Sequence, residues 1–259
     1  MRRLERILLL VLLAPAALVA GAVVPADRTA PTSGDDEIPF DEADLFFELN
    51  DTDGDLGFHA LIDGDAWREL EIENPNEREN LRVTVSGNLR RQGLTELFFE
   101  SAEPPFDELP PEEFFRRFPE GEWEIEGTTL DGEELESSDV LRHVMPAPPD
   151  NITLSGIPSV ENCDVEPLPS VTPPVLIDWD PVTESHPEIG REGEIEIVRY
   201  QLVLETDGVP QLTLDLPPDV TEFEIPDSLT DMAEEWKFEI VAREETGNQT
   251  AVESCFLVE

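Results

Sequence analysis

Aspartate occurs at alternate positions in the segment NDTDGDLGFH, at Asp51, Asp53 and Asp55. Calcium takes about six to eight oxygen ligands, and an alternating run of carboxylates can begin to supply them. The helix-loop-helix calcium motif is excluded, because the places for its glycine and its bidentate glutamate hold Leu56 and Ile62. An Asp-Gly turn between two strands explains the segment better. Calcium at the three aspartates remains the alternative, and it would need ligands from another loop.

The histidines, His59, His143 and His186, are too scattered to indicate a metal site by their spacing. His59 alternates with Phe58 on a predicted strand, so we expect it in solvent or packed on a sheet edge. The sequence contains no H-E-x-x-H, no G-x-S-x-G, no phosphate loop and no dinucleotide motif. Among 61 Asp and Glu residues, a catalytic carboxylate pair cannot be located by pattern. We therefore predict no catalytic residue and no cofactor, apart from the calcium alternative.

Positive charge is scarce and gathers in the first half of the chain. Arg68, Arg82, Arg90 and Arg91 are candidates for a surface patch that binds an acidic protein or a carboxylated glycan. The alternative is internal pairing with neighbouring Asp and Glu, and the local excess of carboxylates favours it.

The whole chain is strongly acidic, with a formal net charge of −45. Such a charge excludes a general affinity for nucleic acid and disfavours anionic membrane surfaces. Hydrophobic residues still make up 39% of the chain, so most of it is expected to fold. A chain of 259 residues is long enough for two domains.

The N-terminus has the features of an export signal. Three arginines precede an uncharged run from Ile7 to Ala26, and Ala20-Gly21-Ala22 offers a cleavage site with small residues. We predict a signal peptide over residues 1–26, with an uncleaved membrane anchor as the alternative. Cleavage would leave a secreted or periplasmic protein with no membrane insertion.

Hydrophobic periodicity predicts a β-sandwich domain over residues 44–147. Apolar residues alternate with polar ones from Leu45 onward, as in antiparallel strands with one buried face. Asp53-Gly54 and Asp63-Gly64 are predicted to be turns between these strands. Residues 27–43 are acidic and aperiodic, so we expect a disordered lead-in there.

One short helix is predicted within this domain. Pro110-Pro111 and the two glutamates that follow suit its beginning, and Arg116-Arg117 suits its end. Its phenylalanines fall on one side, where they are expected to cover the core. A Pro-rich linker over residues 148–154 then separates the two predicted domains.

The second half resembles a known family. The segments LIDWDP, YQLVL and WKFEIVA, which begin at Leu176, Tyr200 and Trp236, are similar to the second, third and penultimate strands of a fibronectin type III domain. Trp236 stands where that family usually carries tyrosine. The resemblance covers residues 155–259 and implies a two-sheet sandwich. It implies no particular activity, because such modules serve as spacers, adhesion units and accessory domains.

The resemblance also implies a disulfide. Cys163 and Cys255 fall near the first and last strands of the fibronectin-like sandwich, which lie close together, and an exported protein meets oxidising conditions. Two separate thiols are the alternative.

These observations predict an all-β protein of two β-sandwich domains in tandem, the first with one short helix and the second of fibronectin type III type. We expect an exported, non-enzymatic binding, adhesion or structural module whose partner is an unknown protein or glycan. The alternatives are an accessory protein of a secreted hydrolase system, a calcium-dependent adhesion module, and an enzyme whose acid pair is hidden among the many carboxylates.

Overall fold

The computed structural model describes residues 37–259, and strands dominate this part of the chain. The predicted signal peptide and the lead-in up to residue 36 lie outside the described residues. The elements of the first half are, in chain order, β1 (Glu42–Asn50), β2 (Asp55–Asn74), β3 (Arg78–Thr84), a 3-10 helix (Leu89–Arg91), β4 (Leu94–Glu100), α1 (Pro111–Arg117), β5 (Gly121–Thr129), β6 (Glu134–Leu141) and β7 (Val144–Pro146).

The second half is likewise built from strands, with one short helical turn. Its elements are, in chain order, β8 (Thr153–Leu154), β9 (Ile157–Pro158), β10 (Ser170–Val171), β11 (Val175–Asp178), β12 (Ser185–Gly190), β13 (Ile197–Thr206), β14 (Val209–Leu216), β15 (Glu222–Ile225), α2 (Asp227–Thr230), β16 (Glu235–Glu244) and β17 (Gln249–Val258). The prediction of an all-β fold is confirmed.

The β1–β2 connection is the Asp-Gly turn that the sequence predicts. The Asn50 side-chain Oδ1 accepts hydrogen bonds from the amides of Thr52 and Asp53, both at 3.1 Å. Gly54 closes the turn with a φ of 68°, a conformation that glycine adopts without steric cost.

The predicted turn at Asp63-Gly64 is wrong, because β2 runs through it as one strand of 20 residues. Asp63 pairs with Glu42 of β1 and with Glu96 of β4, and the register with β4 then shifts before Trp67. The first part of β2 pairs with β1 and β4, and its last part pairs with β3 and β5. Glycine is needed at position 64 for close packing instead, since an added Cβ would lie 3.1 Å from the Phe40 ring.

The predicted disordered lead-in extends too far toward the C-terminus. Ile38 forms an isolated parallel bridge with Leu135, and Phe40 is 7% exposed within the first hydrophobic cluster. The packing of Phe40, which is buried, and of Ile38, which is partly buried, orders the chain ahead of β1, which itself begins at Glu42.

The first half packs around one hydrophobic cluster. Alternate residues of β1 and β2 enter it, among them Leu45, Phe47 and Phe58, together with Trp123 of β5. Helix α1 contributes Phe114 and Phe115, whose rings lie 5.4 and 5.5 Å from the Phe47 ring. The helix therefore covers this core, as its spacing of phenylalanines predicts.

The second half is an immunoglobulin-like sandwich. Its four-stranded sheet has the order β15-β11-β8-β9 and faces the group β14-β13-β16-β17. Trp179 and Tyr200 are 1% exposed in the core between the sheets, with ring centroids 5.5 Å apart. The Trp236 indole Nε1 donates to the Ala233 carbonyl at 3.1 Å, so this tryptophan makes its own bond to the backbone. Thr153–Leu154, placed by sequence in the linker, forms β8.

The two hydrophobic clusters share one continuous sheet. The last strand, β17, pairs in parallel with the first, β1, where Glu48 lies opposite Gln249. The resulting eleven-stranded sheet has the order β14-β13-β16-β17-β1-β2-β5-β6, with β3, β4 and β10 pairing at its sides. The boundaries of the two predicted domains stay a prediction.

Candidate functional site

The face of β1 and β2 that points away from the first core carries polar residues. Glu48 projects from β1 on the same side as Phe46, and His59 projects from β2 directly opposite Phe46. The expectation that His59 is solvated or at an edge is wrong, since it is 3% exposed. The Phe46 ring stacks on its imidazole at 5.1 Å, and Phe98 of β4 lies at 6.3 Å. Aromatic rings on both sides therefore fix the imidazole plane.

A third polar residue, Glu103, reaches this face from the segment after β4. That segment is held along the start of β2 by several hydrogen bonds: Phe58 N donates to the Ser101 hydroxyl at 2.9 Å, and Phe106 N donates to the Gly54 carbonyl at 2.8 Å. An isolated bridge between Asp55 and Pro105 holds it between these points. Glu103 is thereby fixed over the strand.

Gly57 provides the space that Glu103 occupies. It lies opposite Glu48 in the β1–β2 register. A Cβ added at Gly57 would lie 2.0 Å from Oε1 of Glu103 and 2.8 Å from Nε2 of His59. Glycine inside a strand often marks such a close approach, and here it lets a carboxylate lie against the strand beside an imidazole.

Glu48, His59 and Glu103 form the acid–imidazole cluster, the one group of metal-ligating type found among residues 37–259. One potential ligand atom from each lies within 4.8 Å of the others. Nε2 of His59 is 3.5 Å from Oε1 of Glu103, and this buried nitrogen makes no hydrogen bond with any of residues 37–259.

Burial and neighbouring carboxylates shift the pKa values in and beside the cluster. Burial raises the pKa of Glu48, with Glu103 adding to it. Glu100, opposite His59 on β4, has its pKa raised to about 7 by burial and by Glu103. Burial lowers the pKa of His59, but the neighbouring Glu103 and Glu48 carboxylates outweigh it and the net shift is upward. Burial and mutual repulsion destabilise the charged forms of Glu48 and Glu100, and a nearby positive charge would offset both effects.

Residues around the cluster hold its ligands in place. The Gln249 side chain of β17 donates to Oε2 of Glu48. The Arg243 guanidinium lies over the Phe46 ring at 4.5 Å and 3.6 Å from a carboxylate oxygen of Asp44. The cluster thus depends on strands from both halves of the chain.

Sequence analysis missed the acid–imidazole cluster because its members come from separate elements. Glu48 lies on β1, His59 on β2 and Glu103 in the segment after β4, and no spacing rule joins them. The one sequence feature that points to the cluster is Gly57, an isolated glycine within an alternating strand pattern. Such a glycine often marks a place where another group lies close to the strand backbone, but it does not identify that group.

The predicted calcium ligands lie in and beside the β1–β2 turn. Oδ1 of Asp51 lies 3.0 Å from Nε2 of His186 on β12, and Asp53 is exposed at the tip of the turn. Asp55 begins β2 and pairs with Asn50. Calcium at these three residues stays a prediction.

The predicted arginine patch divides into paired and unpaired members. Arg82 forms ion pairs with Glu69, Glu71 and Glu79. For Arg68, Arg90 and Arg91, the described part of the chain provides no ion pair. Arg90 and Arg91 lie exposed in the 3-10 helix, beside Leu89, which is 53% exposed.

The loop that carries these arginines packs next to Arg68. Gly93, with a φ of 77°, closes the 3-10 turn, and its amide donates to the Leu89 carbonyl at 2.7 Å. A Cβ added at Gly93 would lie 2.9 Å from Ala66 and 3.2 Å from the Trp67 carbonyl. The loop therefore lies against β2 immediately before Arg68.

The disulfide between Cys163 and Cys255 is formed, as the resemblance implies. It connects positions separated by 92 residues and attaches the segment before β10 to β17. Across residues 37–259, helices are all too short or too polar to cross a bilayer.

Comparison with known proteins gives distant structural matches. No family model and no curated protein matches the chain. A tetra-tandem repeat from the extending region of a large adhesion protein aligns over 84% of this chain with 10% identity and a TM-score of 0.26, and this chain spans 49% of its length. The chicken CNTN1 FN1-FN3 domains align over 85% of this chain and 68% of theirs, with 10% identity and a TM-score of 0.28.

The ligand-binding domain of human OSCAR aligns over 84% of this chain and 98% of its own, with 12% identity and a TM-score of 0.25. Because these TM-scores are low, the assignment of an immunoglobulin-like sandwich rests on the strand order and the buried cores described above.

Proposed function

We propose that this protein is an exported, non-enzymatic binding module that engages a carboxylate-bearing partner through Arg68, Arg90 and Arg91. Its second half would serve as a fibronectin type III unit. The observation that carries the proposal is that Arg68, Arg90 and Arg91 form no ion pair within residues 37–259, in a chain where carboxylates far outnumber cations. Unpaired guanidinium groups that face solvent are available to bind an external carboxylate through two hydrogen bonds.

The exposed segment has the features of a binding surface. Leu89 provides an apolar contact beside two guanidinium groups, and arginine with an apolar neighbour is typical of interface centres. The rest of the acidic surface repels polyanions at long range, so a ligand with a carboxylate would bind best at moderate salt. The disulfide supports an oxidising, extracytoplasmic location.

Affinity electrophoresis of the full-length protein in gels that contain alginate, a carboxylated polysaccharide, tests the proposal. Alginate should retard the wild type, and the double change Arg90→Ala with Arg91→Ala should lower its affinity by about tenfold or more, since charge-assisted hydrogen bonds are lost.

The matched control is Arg116→Ala with Arg117→Ala. These adjacent, exposed arginines both pair with Glu113, so their loss makes the same change in net charge without removing unpaired guanidinium groups. Neutral dextran serves as the control polymer. Equal retardation of the two double variants, or no retardation of the wild type by alginate, would contradict the proposal.

A further inference from the structure

We infer that the acid–imidazole cluster of Glu48, His59 and Glu103 is a binding site for one divalent transition-metal ion of the zinc type. This site is separate from the arginine surface, and it does not depend on the proposed function. The argument rests on the geometry of the three side chains, on the buried nitrogen that makes no hydrogen bond within the described chain, and on the space above Gly57.

The geometry provides three ligands from three directions. One ligand atom of each residue lies within 4.8 Å of the others, so an ion placed among them can contact all three after small rotamer adjustments. The two strands and the segment after β4 are each held by backbone hydrogen bonds, so the ligands project from a rigid frame. Three protein ligands leave a coordination position for water or for another ligand.

The buried imidazole provides a ligand atom that the described residues leave without a hydrogen bond. Nε2 of His59 is buried and makes no hydrogen bond with residues 37–259, although Oε1 of Glu103 lies 3.5 Å away. Buried polar atoms in folded proteins are nearly always satisfied. A metal ion between the two atoms would satisfy both, because neutral imidazole nitrogen and carboxylate oxygen are both ligands.

Gly57 adds an independent indication. Its missing side chain is what lets the Glu103 carboxylate approach the imidazole, since a Cβ there would lie 2.0 Å from Oε1. Gly57 does not have a positive φ, so the backbone has no need of glycine at this position. The remaining structural reason for glycine at position 57 is the space that the Glu103 carboxylate occupies.

The donor set selects the class of ion. One imidazole nitrogen with two carboxylate oxygens suits zinc and its neighbours in the first transition series, whereas calcium prefers oxygen ligands alone. A divalent cation would also offset the negative charge of the two carboxylate ligands, Glu48 and Glu103. Gln249, which donates to Glu48, would orient that ligand.

The competing explanation is a proton on His59, which would make the cluster an internal ion pair. Isothermal titration of the chelator-treated, full-length protein with zinc, in excess magnesium to occupy weak carboxylate sites, separates the two. We expect one equivalent of zinc to bind, cobalt to give a visible absorption band on binding, and the melting temperature to rise with zinc.

The decisive variant is Gly57→Ala, which fills the space and keeps all three ligands. It should lower zinc affinity by about tenfold or more, as should His59→Gln and Glu103→Gln. Glu96→Gln, at the exposed start of β4, is the matched control and should bind zinc normally.

If wild type binds no zinc in excess magnesium, or if Gly57→Ala and His59→Gln bind it as wild type does, the cluster is an ion pair and the inference is overturned. Because a folded variant is required, circular dichroism of each protein accompanies the titration.

Discussion

At the scale of single residues, the sheet gives neighbouring carboxylates very different environments. Glu239 on β16 is 7% exposed and lies opposite Glu253 in the β16–β17 register. Burial raises its pKa to about 8, and Glu48 adds to the rise while Lys237 opposes it. Lys237 itself lies 3.1 Å from Glu205 and also contacts Glu253. Lys237 therefore forms ion pairs with two other carboxylates, and the protonated form of Glu239 is favoured.

Raised carboxyl pKa values make stability depend on pH in a definite direction. Glu239 is protonated in both states well below its ordinary value of 4.5, and between there and about 8 the unfolded chain releases a proton that the folded chain keeps. The contribution of this group to stability is therefore lost as pH rises through that window. We expect the melting temperature of wild type to fall between mildly acidic and mildly basic pH.

Glu239→Gln should flatten this fall, because glutamine cannot titrate. The melting temperature followed by circular dichroism across the pH range measures it. Glu222→Gln, an exposed residue on β15, is the control and should keep the wild-type slope. Identical slopes for wild type and Glu239→Gln would show that Glu239 does not carry the dependence.

At the scale of elements, sequence alternation predicts where strands occur better than where they end. The alternating residues from Leu45 onward give the buried faces of β1 and β2 correctly, because period two is a local property. Asp63-Gly64 resembles a turn for the same local reason, yet Phe40 packs on Gly64 and β1 and β4 both pair at Asp63. Those contacts come from distant segments, which no local pattern contains.

The candidate site is less predictable than the fold for a related reason. Pairing of β1 with β2 follows from a short turn and is visible in sequence. The approach of Glu103 to His59 depends on how the segment after β4 returns along β2, and this is set by backbone bonds such as that of Phe106 to Gly54. The burial of His59 likewise depends on Phe46 and Phe98, which meet only in the folded sheet.

One side chain connects the elements of the two halves. Asn248, 1% exposed, accepts from the Phe47 amide at 2.8 Å and donates to the carbonyls of Arg142 and Val144 at 2.8 and 2.9 Å. Asn248→Ala removes the hydrogen-bond partner of all three backbone groups, and the bonds to Phe47 and Val144 are the buried ones. We expect it to lower the free energy of unfolding by about 2–4 kcal/mol.

Denaturant unfolding measures this loss, and Asn80→Ala provides the comparison. Asn80 makes an exposed side-chain bond to Asn74, so its replacement should change stability by less than about 0.5 kcal/mol. A similarly small effect of Asn248→Ala would contradict the role assigned to these bonds.

At the scale of the whole molecule, a covalent bond and a sheet both connect distant parts of the chain. The disulfide joins residues 92 positions apart and so restricts the unfolded chain over nearly all of the second half. Replacement of Cys163 and Cys255 by serine should lower the unfolding free energy by about 3–5 kcal/mol, chiefly through the entropy of the unfolded chain. Guanidinium unfolding of the oxidised wild type and the double variant measures the difference. Reduced wild type is the control and should match the double variant, whereas coincident midpoints for oxidised and serine proteins would refute the prediction.

The parallel pairing of β1 with β17 affects how the sheet forms during synthesis. Synthesis delivers β1 near the beginning of the described chain and its neighbour β17 within the last residues. Until those residues emerge, the outer edge of β1 has no partner, and an open strand edge can pair with other chains. The interval of greatest risk for misassembly is therefore set by how long synthesis takes to reach β17, however quickly the first half forms its own core.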